Sequence, residues 1–293
     1  MTTPHREGRV EFSRADIAPW IEVAQGARLN AYSLELLGPP VPGSDLMPDE
    51  TDPFHNMTAW CRGFLEAAAD HLTMWADHVA PLKFHPEAEN NFTLRPTLTL
   101  ARAAMESAAQ SIWILSPDDQ VRRAGRYFLL AASDLDEQTK AATSAEAKAE
   151  LAVRRDEIFQ ALGVTRRSFR PPRYLQILRD AASFLGTHLP EGEVRSSWMD
   201  ADRVERLWRS SAGAAHGKMW PDWEYSIREE HASETYSTPD HVAMAEVVHV
   251  AATLFAAGVT LLTLRSGRED EGRENWRVAE ERLLATMTLR TDL

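Results

Sequence analysis

A single cysteine, Cys61, stands among the 293 residues, which excludes an internal disulfide and any cysteine-rich zinc site and suits a reducing cytosol. The opening stretch MTTPHREGRVEF has no apolar core of the kind a secretory signal needs, so a cytoplasmic protein is expected. The chain also lacks Gly-x-Gly-x-x-Gly, a P-loop, a Gly-x-Ser-x-Gly elbow and His-Glu-x-x-His. Dinucleotide oxidoreductases, NTPases, serine hydrolases of that fold and zincins therefore have no support. Basic charge is short: 32 Lys and Arg face 44 Asp and Glu, for a net charge of −12. That balance argues against broad binding of DNA or an anionic membrane and leaves room only for a local basic patch. No internal repeat and no convincing run of strands is present.

What is there is ordinary core material. Hydrophobic residues make up 44% and charged residues 26%, the mix of a globular domain with a sizeable interior. Nine tryptophans, spread from Trp20 to Trp276, read as packing between helices rather than as one binding patch. Apolar residues recur at helical spacing along most of the chain. A first helix is expected from a Ser13 cap to about Leu37, with Pro19 in its first turn and Gly38 as its stop. A proline-rich loop, 38–53, follows. The next helices run from near Pro53 to Ala80 and from around Pro96 to Leu115. Ser116-Pro117-Asp118-Asp119 reads as the start of the fourth, with Ser116 as cap and Asp118–Arg122 and Asp119–Arg123 as outward pairs.

After a break at Thr143-Ser144, a charged helix reaches Leu162 and stops at Gly163. A basic loop, 163–173, leads to a helix from Tyr174 to Leu185, ended by Gly186. Residues 223–236 alternate weakly and fit an irregular loop or one short hairpin. Two more helices cover Asp240 to Leu264 and Arg273 to Leu289. The segment VVHVAATLFAAGVTLLTL is 18 residues without a formal charge, the lower edge of a membrane span. It carries His249 and three threonines and has no companion, so it is expected as the buried core helix at about 240–264 rather than a span. The fold expected is all-α: a single large antiparallel bundle of about eight or nine helices over 13–293, with 1–12 a disordered tail.

The stretch RVERLWRSSAGAAHGKMW, from Arg203 to Trp220, changes character along its length. It begins as an amphipathic helix and ends in small residues, His216-Gly217 and the aromatics Trp220, Trp223 and Tyr225. Arg209 and His216 are seven positions apart, which on a continuous helix is about 700° of turn and ~10.5 Å of rise. They share a face. A fixed cation that holds a phosphate beside an imidazole that moves protons near neutral pH is a useful pair for phosphate chemistry. The plainer reading is a salt bridge from Arg209 to a nearby acid and a helix that ends at His216.

Arg102 and Glu106 stand at i, i+4 on the edge of the third helix's apolar stripe, with Arg126 as a candidate third member. They fit either an ion-pair network that fixes register or an anion site facing His216. In TRRSFRPPR, Arg166, Arg167, Arg170 and Arg173 surround Phe169, an arrangement a phosphate backbone and an unstacked base would use, and also one a solvated loop adopts. Glu246 and His249 have the spacing of one half of a di-iron site. No second Glu-x-x-His exists, so they read as a buried polar pair, and neither a metal nor a cofactor is expected.

Arg-x6-His on a helix of an all-α protein resembles the Arg-x4-6-His motif of the HEPN superfamily. Many of its members are metal-independent RNases of toxin–antitoxin and phage-defence systems, often dimers with a composite site. The resemblance implies Arg209 as the phosphate-binding residue and His216 as the acid/base for 2′-hydroxyl attack. It also implies an RNA substrate, a homodimer and an antitoxin protein as partner. Family members usually carry Asn, Asp or His directly after the arginine. Here Ser210 holds that place, and it can donate a hydrogen bond but cannot take the same proton role. Arg102, Glu106, Arg126, Arg166, Arg167 and Trp220 are the substrate-binding candidates.

A wider resemblance, over about residues 95 to 265, is to helical proteins of actinobacterial type. It rests on Arg102, Glu106 and Trp113 on one helix, on Arg122, Arg123 and Arg126 on the next, and on the Ser-Ala-Gly-Ala-Ala-His-Gly ending. Two readings compete with the RNase. One is a non-catalytic helical binding or scaffold protein whose Arg209, His216 and Glu106 satisfy one another. The other is a small-molecule pocket lined by Trp208, Trp220 and Trp223.

Overall fold

A computed structural model of the chain describes residues 14–46, 57–80, 82, 93–165, 167–188, 199–231 and 234–288. The expected tail 1–12, the Ser13 cap, the later part of the proline-rich loop and Arg166 lie outside them. The described residues form α1 (Arg14–Leu36), α2 (Met57–Val79), α3 (Leu94–Leu115), α4 (Gln120–Ala141), α5 (Ala145–Ala161) and α6 (Tyr174–His188). Then come α7 (Ala201–Ala215), α8 (Trp220–Glu224), β1 (Ser226–His231), β2 (Glu234–Pro239), α9 (His241–Arg265) and α10 (Glu269–Thr288). Among the described residues the fold is all-α, with one small hairpin.

α3 is the central helix, packed by α2, α6, α7 and α9. Its stripe of Ala101, Ala104, Met105, Ala108 and Ile112 is fully buried, and small side chains there let neighbouring helices come close. α9 packs closely on both α2 and α3: an added Cβ at Gly258 would stand 2.5 Å from Leu65 and 3.6 Å from Ile112. By length and composition α9 could cross a membrane, but 56% of its most apolar window is buried inside the bundle. Its all-round apolarity is that of a core helix. α1 packs on α2 and α9 and is backed by α10, while α4 and α5 pair as a hairpin.

Side-chain carboxylates and hydroxyls cap the helix starts. Asp119, Ser144, Asp200 and Asp240 each accept from a backbone N–H in the first turn, satisfying donors that would otherwise lack partners. Helix ends are held by arginines from neighbours. Arg28 donates to the Ala80 carbonyl at 2.9 Å and to Asp77 at 2.7 Å. Arg62 answers by donating to the carbonyls of Leu34 and Leu37. A fixed cation at a helix C-terminus meets both the orphan carbonyls and the negative end of the dipole.

Several sequence expectations are corrected. Pro19 lies inside α1 rather than in its first turn. Ser116 is the C-cap of α3, and Asp119 is the N-cap of α4. The outward pairs do not form as expected: Asp118 pairs with Arg265 at 2.7 Å, and Arg123 is 1% exposed. Arg123 turns inward because the Pro117 and Asp118 carbonyls are there to receive its guanidinium, at 2.8 Å each. Gly186 does not stop α6, which continues to His188. Its missing Cβ instead leaves room for the Met199 carbonyl, which would be 3.3 Å away. Residues 223–236 take in the end of α8 and most of an antiparallel hairpin registered from Ser226 with Pro239 to His231 with Glu234. α10 begins at Glu269, earlier than its apolar spacing indicates. Tryptophan serves two roles. Trp20, Trp75 and Trp113 are core residues, while Trp220, Trp223 and Trp276 are exposed.

Candidate functional site at the end of α7

α7 is organised by its two faces. Val204, Leu207, Ser210, Ser211, Gly213 and Ala214 are buried, and Asp202, Arg206 and Arg209 face solvent. The helix ends at His216 because Gly217 takes φ +69, which a side chain would disfavour. Gly217 N–H then reaches the Ala214 carbonyl at 3.1 Å and Lys218 N–H the Gly213 carbonyl at 2.9 Å, a Schellman ending. The chain reverses at once into α8. Gly213 makes the reversal possible, since a Cβ there would stand 2.9 Å from Pro221 and 3.0 Å from the Trp220 indole nitrogen.

The hairpin is tied to the same helix from beneath. Ser210 donates to the Leu207 carbonyl at 2.9 Å and shares a 2.9 Å hydrogen bond with the Tyr225 hydroxyl. Ser210 has one proton and spends it on the carbonyl, so the phenol is the donor of the second bond. Burial pushes the Tyr225 phenol up to about 12, against a smaller opposing effect of Ser210. Asp240 N–H closes the hairpin base on the Tyr225 carbonyl at 2.7 Å. Ser210, 0% exposed, is thus an anchoring residue, out of reach of any substrate in this arrangement.

Arg209 is 57% exposed and donates to one oxygen of Glu205 at 2.7 Å. Arg179, from α6, donates to the other oxygen of Glu205 and pairs with Asp202 at 2.8 Å. The hydrogen bonds from Arg209 and then Arg179 hold the Glu205 carboxyl below the usual carboxylate range. Arg206 pairs with Glu224, whose hydrogen bond raises the guanidinium's pKa. Asp202, Glu205, Arg206, Arg209 and Trp220 line an open groove of about 420 Å³. His216 is exposed at the C-cap and does not line the groove. Beside it, the Arg95 guanidinium lies 3.6 Å from where a Gly217 Cβ would stand and donates to Asp222 at 2.6 Å.

The other candidates are dispersed. Glu106 accepts from Trp208 Nε1 at 2.7 Å and from Arg102 Nε at 2.8 Å, with the Arg102 guanidinium 5.2 Å from the Trp208 ring centroid. This cluster joins α3 to α7. Arg126 is not its third member. It donates to the Trp113 carbonyl and to Ser116 Oγ at the far end of α3 and covers the Trp113 ring at 4.8 Å. Arg167 is exposed, but Phe169 of the same loop turns inward and meets Phe159 at 4.9 Å. Glu246 is bound by Arg203 at 2.7 Å and is part-exposed rather than buried. Asp202, Glu205 and Arg206 were missed as groove residues. The spacing of Glu205 and Arg209 at i, i+4 was the available signal. No protein-family model, curated protein or solved structure matches the chain.

Proposed function

We propose that the chain is a metal-independent endoribonuclease of HEPN type, of the toxin or phage-defence kind, acting in the cytoplasm. The observation that carries the reading is the exposure of Arg209 on α7 and of His216 at its C-cap, with Arg209 lining a groove together with Trp220. In this reading Arg209 holds the scissile phosphate, and it has donors to spare: a guanidinium carries five, and Glu205 engages only two of its nitrogens. His216 takes the proton of the 2′-hydroxyl. The 2′-oxygen attacks phosphorus, the bond to the 5′-oxygen breaks, and that oxygen leaves with a proton from solvent. A homodimer and an antitoxin-type protein partner belong to the same reading.

The test is cleavage of labelled RNAs by the purified chain in EDTA. Cleavage that persists there and disappears in folded Arg209→Ala and His216→Ala variants supports the nuclease. Diverse RNAs left intact, with no growth defect on overexpression, overturn it.

One observation favours the non-catalytic binding or scaffold reading: the groove's arginines already have carboxylate partners, Arg209 with Glu205 and Arg206 with Glu224. That reading is distinguished by a wild-type protein with no cleavage to lose. The exposure of His216 removes an enclosed, core-satisfied histidine from its support.

A further inference from the structure

We infer that the groove beside Arg209 is a base-reading subsite that takes an unpaired guanine. This rests on the nuclease reading for the placement of the phosphate at Arg209, and the identity of the base is new. The groove combines three chemistries in about 420 Å³: an indole, two guanidiniums and two carboxylates. Trp220 is 41% exposed, and an exposed indole beside arginines is a stacking surface for a nucleobase that has left its helix.

The two carboxylates are not equivalent. Both oxygens of Glu205 are engaged, one by Arg209 and the other by Arg179, so Glu205 positions the arginines and reads nothing. Asp202 is 83% exposed and receives Arg179 on one oxygen. A carboxylate offers about four acceptor sites and no donor, so Asp202 has acceptor capacity left on both oxygens. A pair of acceptors side by side matches a pair of donors side by side. Among the four RNA bases, only guanine presents that pair on its pairing edge, N1–H next to the 2-amino group. Adenine and cytosine place an acceptor beside their amino group, and uracil has one imino proton between two carbonyls.

Placement along the helix agrees. Asp202 and Arg209 are seven residues apart on α7, ~10.5 Å of rise, comparable to the reach of a nucleotide from base edge to phosphate. Trp220 comes in from α8, held against Gly213, and lines the groove together with Asp202 and Arg209.

The experiment is a calorimetric titration of the full chain, in EDTA, with the 3′-monophosphates of guanosine, inosine, adenosine, cytidine and uridine. Guanosine monophosphate is expected to bind tightest. Inosine monophosphate, which lacks the 2-amino donor, is expected to bind about tenfold more weakly, the usual discrimination of a bidentate base contact. Asp202→Asn should erase the guanosine preference, and Trp220→Leu should weaken all five nucleotides together, with the folded state of both variants checked by circular dichroism. Equal binding of all bases, no binding, or a preference that survives Asp202→Asn overturns the subsite. A parallel cleavage assay on an adenosine oligonucleotide with one central guanosine separates the two ideas. Guanosine binding without cleavage overturns the nuclease and keeps the subsite. Cleavage indifferent to guanosine overturns the subsite and keeps the nuclease.

Discussion

The two ends of α3 use arginine differently. At its C-terminal end, Arg123, Arg126 and Arg265 converge on the carbonyls of Trp113, Leu115, Pro117 and Asp118. Toward its N-terminal end, where α7 runs alongside, Arg95, Arg206 and Arg209 stand 39%, 64% and 57% exposed, each bound to a carboxylate. Helix-end carbonyls are fixed in place and sheltered, so an arginine that meets them is committed. A carboxylate on an exposed side chain can swing away or share its arginine with an incoming anion. Arg123, buried, and Arg126, part-buried, meet fixed acceptors and set the closed end apart from the open one. Arg265 beside them uses both kinds of acceptor, pairing with Asp45 and Asp118 as well as with carbonyls.

The largest effect should come from breaking the closed end. Arg123→Ala removes a guanidinium that two carbonyls at 2.8 Å depend on and leaves a void where it was buried. With hydrogen bonds to a charged group contributing about 1.5–3 kcal/mol each, a loss of about 3–5 kcal/mol in unfolding free energy is expected by urea titration. A loss under about 1 kcal/mol would mean that the closed end is as loosely held as the open one.

Next in size is a pH effect at the anchor beneath α7. Burial pushes the Tyr225 phenol up to about 12 in the folded chain, from an ordinary value of 10.0. A raised folded pKa gives stability that is complete below pH 10 and is lost as pH rises toward 12, by about 2–3 kcal/mol. Cys61, pushed up to about 12 by burial, loses stability in an overlapping window. The difference between wild type and Tyr225→Phe therefore isolates the phenol. The variant should be less stable near neutral pH, through the lost bond to Ser210, and its deficit should shrink or reverse above pH 10. A constant deficit across that range would remove Tyr225 as the buried tie of the hairpin.

A smaller change sharpens the comparison from the side of α8. Gly213→Ala gains helix propensity, about 1 kcal/mol, but its Cβ meets Pro221 and Trp220 at 2.9 and 3.0 Å. Overpacking should win, for a net loss of about 1–2 kcal/mol, with Trp220 displaced and tryptophan emission shifted to the red. Unchanged emission would show that α8 does not depend on that close approach.

Much of the fold was legible because it depends on local patterns. Helical periodicity located nearly every long helix, and the all-round apolarity of α9 marked it as the core helix. The errors fall where a distant partner decides. Arg123 reads as an outward i, i+4 partner of Asp119 until the α3–α4 turn offers it two carbonyls. Gly186 reads as a stop until the chain near Met199 packs against it. Of the groove's lining, Arg209 and Trp220 were legible in the sequence, while His216 is exposed at the C-cap outside it. That Glu205 is shared by Arg209 and Arg179, that Ser210 faces Tyr225, and that Arg126 binds the C-terminal end of α3, away from Glu106, all depend on which helices become neighbours. Sequence spacing along one helix does not contain that information.

The smallest expected change is the one that decides what the open end is for. Arg209→Ala removes an exposed side chain whose partner keeps a second cation, since Arg179 still reaches Glu205. An exposed pair of this kind contributes little to stability, so the melting temperature should stay where it is in wild type. Under the proposed nuclease reading, salt-sensitive binding of short RNAs should weaken at the same time, because the phosphate contact which that reading assigns to Arg209 is removed. Retained stability with lost RNA binding separates a functional arginine from a structural one. A drop in melting temperature as large as that of Arg123→Ala would place Arg209 among the committed arginines, and the two ends of α3 would then be alike.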